Sequence, residues 1–180
     1  MRQWTSRLLL LLSLTACSPH FDPPQIHAQE QKLYTLLLHT NRHITTSEAR
    51  TLSQEAIRYS KKLATRYKVF APPLVHNFLV NTGMRQRGLC YQWSDDLYTH
   101  LQSFHFQSIQ LKPVGANIGN YWSEHNALVV LPKYDNAMRY GVLLDPWRDS
   151  GRLYFVPILK DPAYTWRVRT DRCAIYQNGK

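Results

Sequence analysis

The stretch Gly88-Leu89-Cys90-Tyr91-Gln92-Trp93-Ser94-Asp95-Asp96-Leu97 decides how the chain is read. Gly88 is a turn residue. From Leu89 onward the apolar residues Leu89, Trp93, Leu97, Leu101 and Phe104 recur at steps of four, four, four and three. That spacing is one face of an amphipathic helix. Asp95 and Asp96 fall in its first turns, where the helix dipole favours acids. Cys90 therefore stands at a helix N-terminus. The positive end of the dipole lowers a thiol's pKa from its free value of about 8.5, so a nucleophilic cysteine has a physical reason to be there.

Upstream the chain reads as helices. Thr45 with Glu48 three residues on fits a capping box. Leu52, Ala56, Tyr59, Leu63, Tyr67 and Phe70 then recur at three- and four-residue steps, with Arg58, Lys61, Lys62 and Arg66 off the stripe on a solvated face. An earlier helical spacing starts near Ala28 and carries Leu33, Leu36 and Leu37 as far as Thr40. Pro72-Pro73 ends the long helix and can begin another. In that helix Leu74, Val75, Phe78 and Leu79 form the expected buried side, and Gly83 is the stop.

Downstream the period changes. Residues 108–111 alternate as a strand, residues 113–121 read as a loop rich in Gly and Asn, and residues 127–131 are an apolar run suited to a buried strand. Residues 142–144, 152–156 and 164–169 follow as strands, with turns at Asp135-Asn136 and Asp149-Ser150-Gly151. Short turns favour antiparallel hairpins. Helices first and strands after give an α+β domain over residues 28–180, its N-terminal helices packed on one side of an antiparallel sheet.

A thiol nucleophile needs an imidazole within hydrogen-bond reach and a third polar group that fixes the ring. Glu124-His125-Asn126-Ala127 and Leu144-Asp145-Pro146-Trp147 offer both. His125 opens a buried strand and Asp145 ends the next. If residues 124–131 and 141–145 pair across a hairpin centred on residue 135, His125 and Asp145 stand directly opposite, about 5 Å apart on one face. Singly, His125 reads as a strand-end histidine and Asp145 as a turn cap; their joint placement points to chemistry. The backbone N–H of Cys90 is the first candidate for an oxyanion donor, with the amides of Asn81, Gln86 and Gln92 as further ones. His100 and His105 lie five residues apart, which is not a same-face helical step, so no metal pair is read. No cofactor or metal is expected. Tyr91, Trp93, Tyr121, Trp122 and Trp147 read as core or cleft wall.

Taken together, these pieces resemble the transglutaminase-like fold, a relative of papain-type cysteine proteases. The glycine, cysteine, aromatic and small-residue pattern of residues 88–94, the Glu124-His125 strand and the Asp145-Pro146 pair carry the resemblance, which covers about residues 70–160. Ala127 stands where that family often has an aromatic residue. The resemblance implies Cys90 as nucleophile, His125 as general base and then acid, and Asp145 as the orienter of His125. It implies thiol acyl transfer on an amide of a protein or a peptidoglycan peptide. Release to water makes a protease or amidase, and release to an amine makes a transglutaminase; the residues do not choose.

At the N-terminus Arg2 and Arg7 flank the apolar residues 8–14, a run too short to span a bilayer and suited to an export signal over residues 1–16. Leu14-Thr15-Ala16-Cys17 resembles the bacterial lipobox, which implies lipidation of Cys17 and a membrane anchor. Ser18, rather than Asp, implies outer-membrane sorting with the domain facing the periplasm in a Gram-negative envelope. Residues 17–27, with Pro19, Pro23 and Pro24, read as an extended tether. The net charge of +10 falls to +8 without Arg2 and Arg7 and favours anionic surfaces. Nucleic acid is not an expected partner, because the basic residues are scattered and the export signal removes the chain from the genome. Two other functions fit the same residues. One is an envelope lipoprotein that uses the fold as a non-catalytic binding module. The other is a basic wall-associating protein in which Cys90 and Cys173 form a structural disulfide.

Overall fold

The strongest periodicity in the sequence forms the longest helix of the computed structural model, which describes residues 22–169 apart from residues 41, 121 and 136. Helix α2 (Thr46–Arg66) starts on Thr45, whose Oγ1 accepts the Glu48 N–H at 3.4 Å. The Glu48 carboxylate does not turn back to close a capping box. It accepts the Ser108 N–H at 2.7 Å and also the Gln107 N–H, so the start of the helix is tied to the chain entering the sheet. Helix α1 (Pro23–Thr40) begins five residues before the expected Ala28. Pro23 and Pro24 occupy its first turn, where a missing N–H loses no helical bond. The expected tether is thus helical from Pro23. Residues 17–21 of it, the export signal, Cys17 and Cys173 lie outside the described residues.

Helices α3 (Pro73–Asn81) and α4 (Cys90–Gln102) precede five strands: β1 (Ile109–Ala116), β2 (His125–Pro132), β3 (Val142–Asp145), β4 (Tyr154–Pro157) and β5 (Arg167–Val168). Their order in the sheet is β4-β3-β2-β1-β5, and every pairing is antiparallel. The described chain is an α+β structure with four helices and one five-stranded antiparallel sheet. No helix among the described residues is long and apolar enough to cross a membrane. Strand β1 runs through residues 113–116, which composition assigns to a loop. Pro113 has no N–H to give the ladder, but its carbonyl accepts the Arg169 N–H at 3.0 Å.

Strand β2 is buried at every position and lies at the centre of the sheet. On one face Leu128 and Val130, with Val142 and Leu144, pack against Leu33, Leu37, Leu52, Ala56, Leu97 and Leu101 of helices α1, α2 and α4. On the other, Ala127, Val129, Leu131 and Leu143 are covered by Ile158, Tyr164 and Trp166. The helices therefore sit on one side, and a C-terminal segment seals the opposite one.

Two further expectations are corrected. The burial of α3 is reversed: Leu74, Val75 and Phe78 are 72%, 40% and 60% exposed, while His76 is buried. Polar groups anchor this helix. His76 Nδ1 accepts the Phe70 N–H at 3.2 Å, its Nε2 donates to the Arg87 carbonyl at 2.9 Å, and Asn77 Oδ1 accepts the Trp147 Nε1–H at 3.0 Å. The second correction is to the hairpin register. Strands β2 and β3 pair Leu128 with Leu144, Val129 with Leu143 and Val130 with Val142. Continued outward, that ladder sets Asp145 across from Ala127, two residues from His125. The connection contains a 3₁₀ turn at Met138–Tyr140, so the reversal falls later than residue 135. A shift of two preserves the face, because strand side chains alternate with period two. His125 and Asp145 become diagonal rather than direct neighbours.

Replacing Leu128 by Ala, in the middle of the central strand, should lower the unfolding free energy by about 2–5 kcal/mol in urea denaturation. Phe78→Ser, on the exposed side of α3, should change it by no more than about 0.5 kcal/mol.

Candidate active site

The loop before Cys90 is held on all sides. Gly88 has φ +131°, a conformation that favours glycine, and a Cβ there would run into the His76 ring. The side-chain Oε1 of Gln92 turns back to accept the Gly88 and Leu89 N–H groups at 2.7 and 3.1 Å, capping α4. Gln92 is therefore a cap through its oxygen, and its Nε2 points to the Tyr91 hydroxyl at 3.5 Å. Trp93 Nε1 donates to the Gly88 carbonyl at 3.0 Å, and its ring packs edge-on against Tyr67 at 4.9 Å. The Tyr67 hydroxyl donates to Asp96 at 2.7 Å, and Asp96 also pairs with Arg87 at 2.9 Å. Cys90 is the first residue of α4, so its own backbone N–H has no partner within the helix.

The sulfur of Cys90 is a free thiol, half-buried, and faces the start of β2. It lies 3.9 Å from the Glu124 carbonyl oxygen and 3.7 Å from Asn126 Nδ2. Between these residues His125, 2% exposed, gives its Nε2 to Asp145 Oδ2 at 2.6 Å. Nδ1 is then the ring nitrogen left for the thiol. The imidazole is walled by Trp147, Tyr164 and Trp166, with ring centroids at 4.8, 4.9 and 5.5 Å.

Asp145 is completely buried, and four donors hold it. Oδ1 accepts the N–H groups of Trp147 and Arg148 at 3.2 and 3.1 Å, and Oδ2 accepts from His125 and from Arg148 Nε at 3.0 Å. The Arg148 guanidinium continues to Asp161 through two bonds of 2.9 and 2.8 Å and stacks on Tyr154 at 4.1 Å. Trp166, part of the wall around His125, donates its Nε1–H to Asp161 at 2.8 Å. The orientation of the imidazole thus rests on a run of groups of alternating charge.

The electrostatics follow from this geometry. Burial pushes the Cys90 thiol up, but the imidazole of His125 and the amide of Asn126 outweigh it and hold the thiol below its ordinary value. Burial pushes His125 down; the carboxylate of Asp145, with the Cys90 sulfur adding to it, raises the imidazole to about 9. Both shifts favour a thiolate beside an imidazolium, a pair that titrates as one unit. Asp161 is held below the usual carboxylate range because Arg148, the Ala163 N–H and Trp166 outweigh its burial.

Cys90, His125 and Asp145, singled out from the sequence, are thus brought together in one site. Trp93 is core and Trp147 is cleft wall, but Trp122 is 91% exposed. Tyr121 lies outside the described residues. Arg148, Asp161, Asn126 and Arg169 were not legible as members of the site. Asp145 and Arg148 are only three residues apart, which is the one local signal; Asp161 and Arg169 arrive from a segment remote in sequence. No group of three or more His, Cys, Asp or Glu side chains able to hold a metal ion occurs among the described residues. The chain gives no match to a family model, to a curated protein or to a solved structure.

The His125 shift has a measurable sign. A histidine whose folded pKa is raised adds stability below its unfolded value of about 6.5 and loses it as pH rises through the folded value. A depressed thiol acts in the opposite direction, so Cys90→Ser isolates the histidine. In that variant the unfolding free energy should fall between pH 6.5 and at most about 9, and adding Asp145→Asn should flatten the slope. Urea unfolding across this range checks both.

Proposed function

We propose that the chain is a thiol acyl-transfer enzyme with a transglutaminase-like, papain-related fold, acting on amide bonds in proteins or peptidoglycan peptides. One observation carries this function: a free thiol at a helix N-terminus faces an imidazole whose far nitrogen is bonded to a buried, four-donor carboxylate. A structural histidine needs no such orienter, and a structural cysteine needs no such base.

The chemistry uses the residues as they stand. The Cys90 thiolate attacks the amide carbonyl carbon, a C–S bond forms, and the carbonyl π pair moves onto oxygen. As that oxyanion collapses, the C–N bond breaks and the His125 imidazolium gives its proton to the leaving amine. Water, or an amine, then gives a proton to His125 and attacks the thioester. The C–S bond breaks, and the thiolate and imidazolium are restored. Asp145 keeps the ring's Nε2 proton in place throughout, so Nδ1 does the transfer. The aromatic wall around His125 excludes water and strengthens the electrostatic terms. Lipidation at Cys17 fits this function, since it would hold the domain at a membrane surface near envelope substrates.

At pH 6 a free cysteine is almost wholly protonated and reacts slowly with iodoacetamide. Cys90 should be alkylated far faster than a free thiol at that pH, and His125→Ala should bring it back to the ordinary profile. On a panel of peptide and peptidoglycan-derived amides, His125→Ala should lower turnover by roughly 10²–10⁴-fold, and Cys90→Ser should abolish it. A wild-type thiol with the pH profile of free cysteine would leave a binding module as the better description.

A further inference from the structure

Strand β2 is apolar along nearly all its length, yet its second residue is Asn126, buried to 3% exposure. A buried amide is costly unless its donors and acceptor are all used. Its oxygen is accounted for: Asn126 Oδ1 accepts from Arg169 Nη1 at 2.7 Å. Because a guanidinium has only donors, this bond fixes which end of the amide is which. The NH₂ group must face the other way, and there it meets the Cys90 sulfur at 3.7 Å.

The fixing group is itself built in. The Arg169 side chain is fully buried and paired with Glu124, whose second oxygen accepts the Gly119 N–H at 2.8 Å. Its stem crosses β1 over Gly115, the residue paired with Asn126, and a Cβ on Gly115 would come within 2.8 Å of Arg169 Cδ. A charge is buried at this cost only when it is paired and hydrogen-bonded. Here Glu124 supplies the countercharge, and the guanidinium donates to Asn126 from a fixed position.

Resting on the acyl-transfer function proposed above, we propose that Asn126 is a further catalytic residue. Its Nδ2–H₂ donates first to the Cys90 thiolate and then to the carbonyl oxygen as the C–S bond forms. Arg169 and Glu124 are the positioning residues that aim it. The backbone N–H of Cys90 is the second donor to that oxygen, from the helix N-terminus. The groups facing the thiol are then His125, backed by Asp145 and Arg148, on one side, and Asn126, backed by Arg169 and Glu124, on the other, with the Glu124 carbonyl oxygen at 3.9 Å and Tyr164 packed against the imidazole. This role gives Arg169, the basic residue that follows β5, a reason to be buried beside Asn126 of β2.

Two probes separate this role from a structural one. Attack on p-nitrophenyl acetate passes through an oxyanion, whereas alkylation by iodoacetamide does not. In Asn126→Ala and Asn126→Asp the rate of acylation divided by that of alkylation should fall by about 10²-fold, the effect of losing one oxyanion donor. Asn126→Asp is the sharper test, because a carboxylate of the same size still accepts from Arg169 and keeps the fold but turns an oxygen toward the sulfur. Its thiolate absorbance should also titrate at higher pH than in wild type. Arg169→Met should lower the same ratio, and Arg169→Lys should restore part of it. An unchanged ratio in both Asn126 variants, with wild-type Cys90 reactive at pH 6, overturns the role of Asn126 and leaves the acyl-transfer function standing. A wild-type Cys90 that behaves as free cysteine overturns both.

Discussion

The buried Asp145 carboxylate is the interaction on which the rest of the candidate site depends. A fully buried acid is tolerable only when donors surround it, and its four come from three different residues: the His125 ring, the Trp147 amide, and both the amide and the guanidinium of Arg148. Two of these are the backbone just after β3, so the turn that ends the strand also organises the acid. One is the imidazole from β2. The last brings in Arg148, which carries the network on to Asp161 and so to the C-terminal wall. Removing the carboxylate would leave the imidazole without its orienter and facing the Arg148 guanidinium, which would keep only Asp161 as its counterion.

The helix side of the site is organised by different means. Cys90 is positioned by a glycine turn, a glutamine cap and a tryptophan hydrogen bond, all neutral groups close in sequence. The two halves therefore differ in character. Cys90 is placed by local backbone geometry, which a short segment can specify by itself. His125 is placed by long-range ion pairs, which require the finished sheet.

That difference explains what could be read in the sequence. The helical stripe of α2, the buried run of β2 and the helix start at Cys90 are local patterns, and they stand in the structure at or near the expected positions. The pairing of His125 with Asp145 was legible because it depends on strand alternation, which survives a register shift of two residues. The exposure of Leu74 and Phe78 was not, because His76 and Asn77 decide which side of α3 faces inward, and polar anchors leave no periodic trace. Pro113 in β1 was not legible either; its strand role depends on Arg169, 56 residues away by number, donating to its carbonyl. Arg148, Asp161 and Arg169 look like ordinary surface charges until the fold closes around them.

Strand β5 pairs with β1 over only two residues, at the edge of the sheet. Yet its neighbourhood supplies Tyr164 and Trp166 to the wall of the imidazole and Arg169 to Asn126. A short edge strand is where local opening costs least, well below the free energy of global unfolding. Opening of this edge would withdraw Tyr164, Trp166 and Arg169 from His125 and Asn126 while leaving the helical core in place. Contacts that retain the edge would therefore hold these three side chains in place without altering the packing of helices α1, α2 and α4.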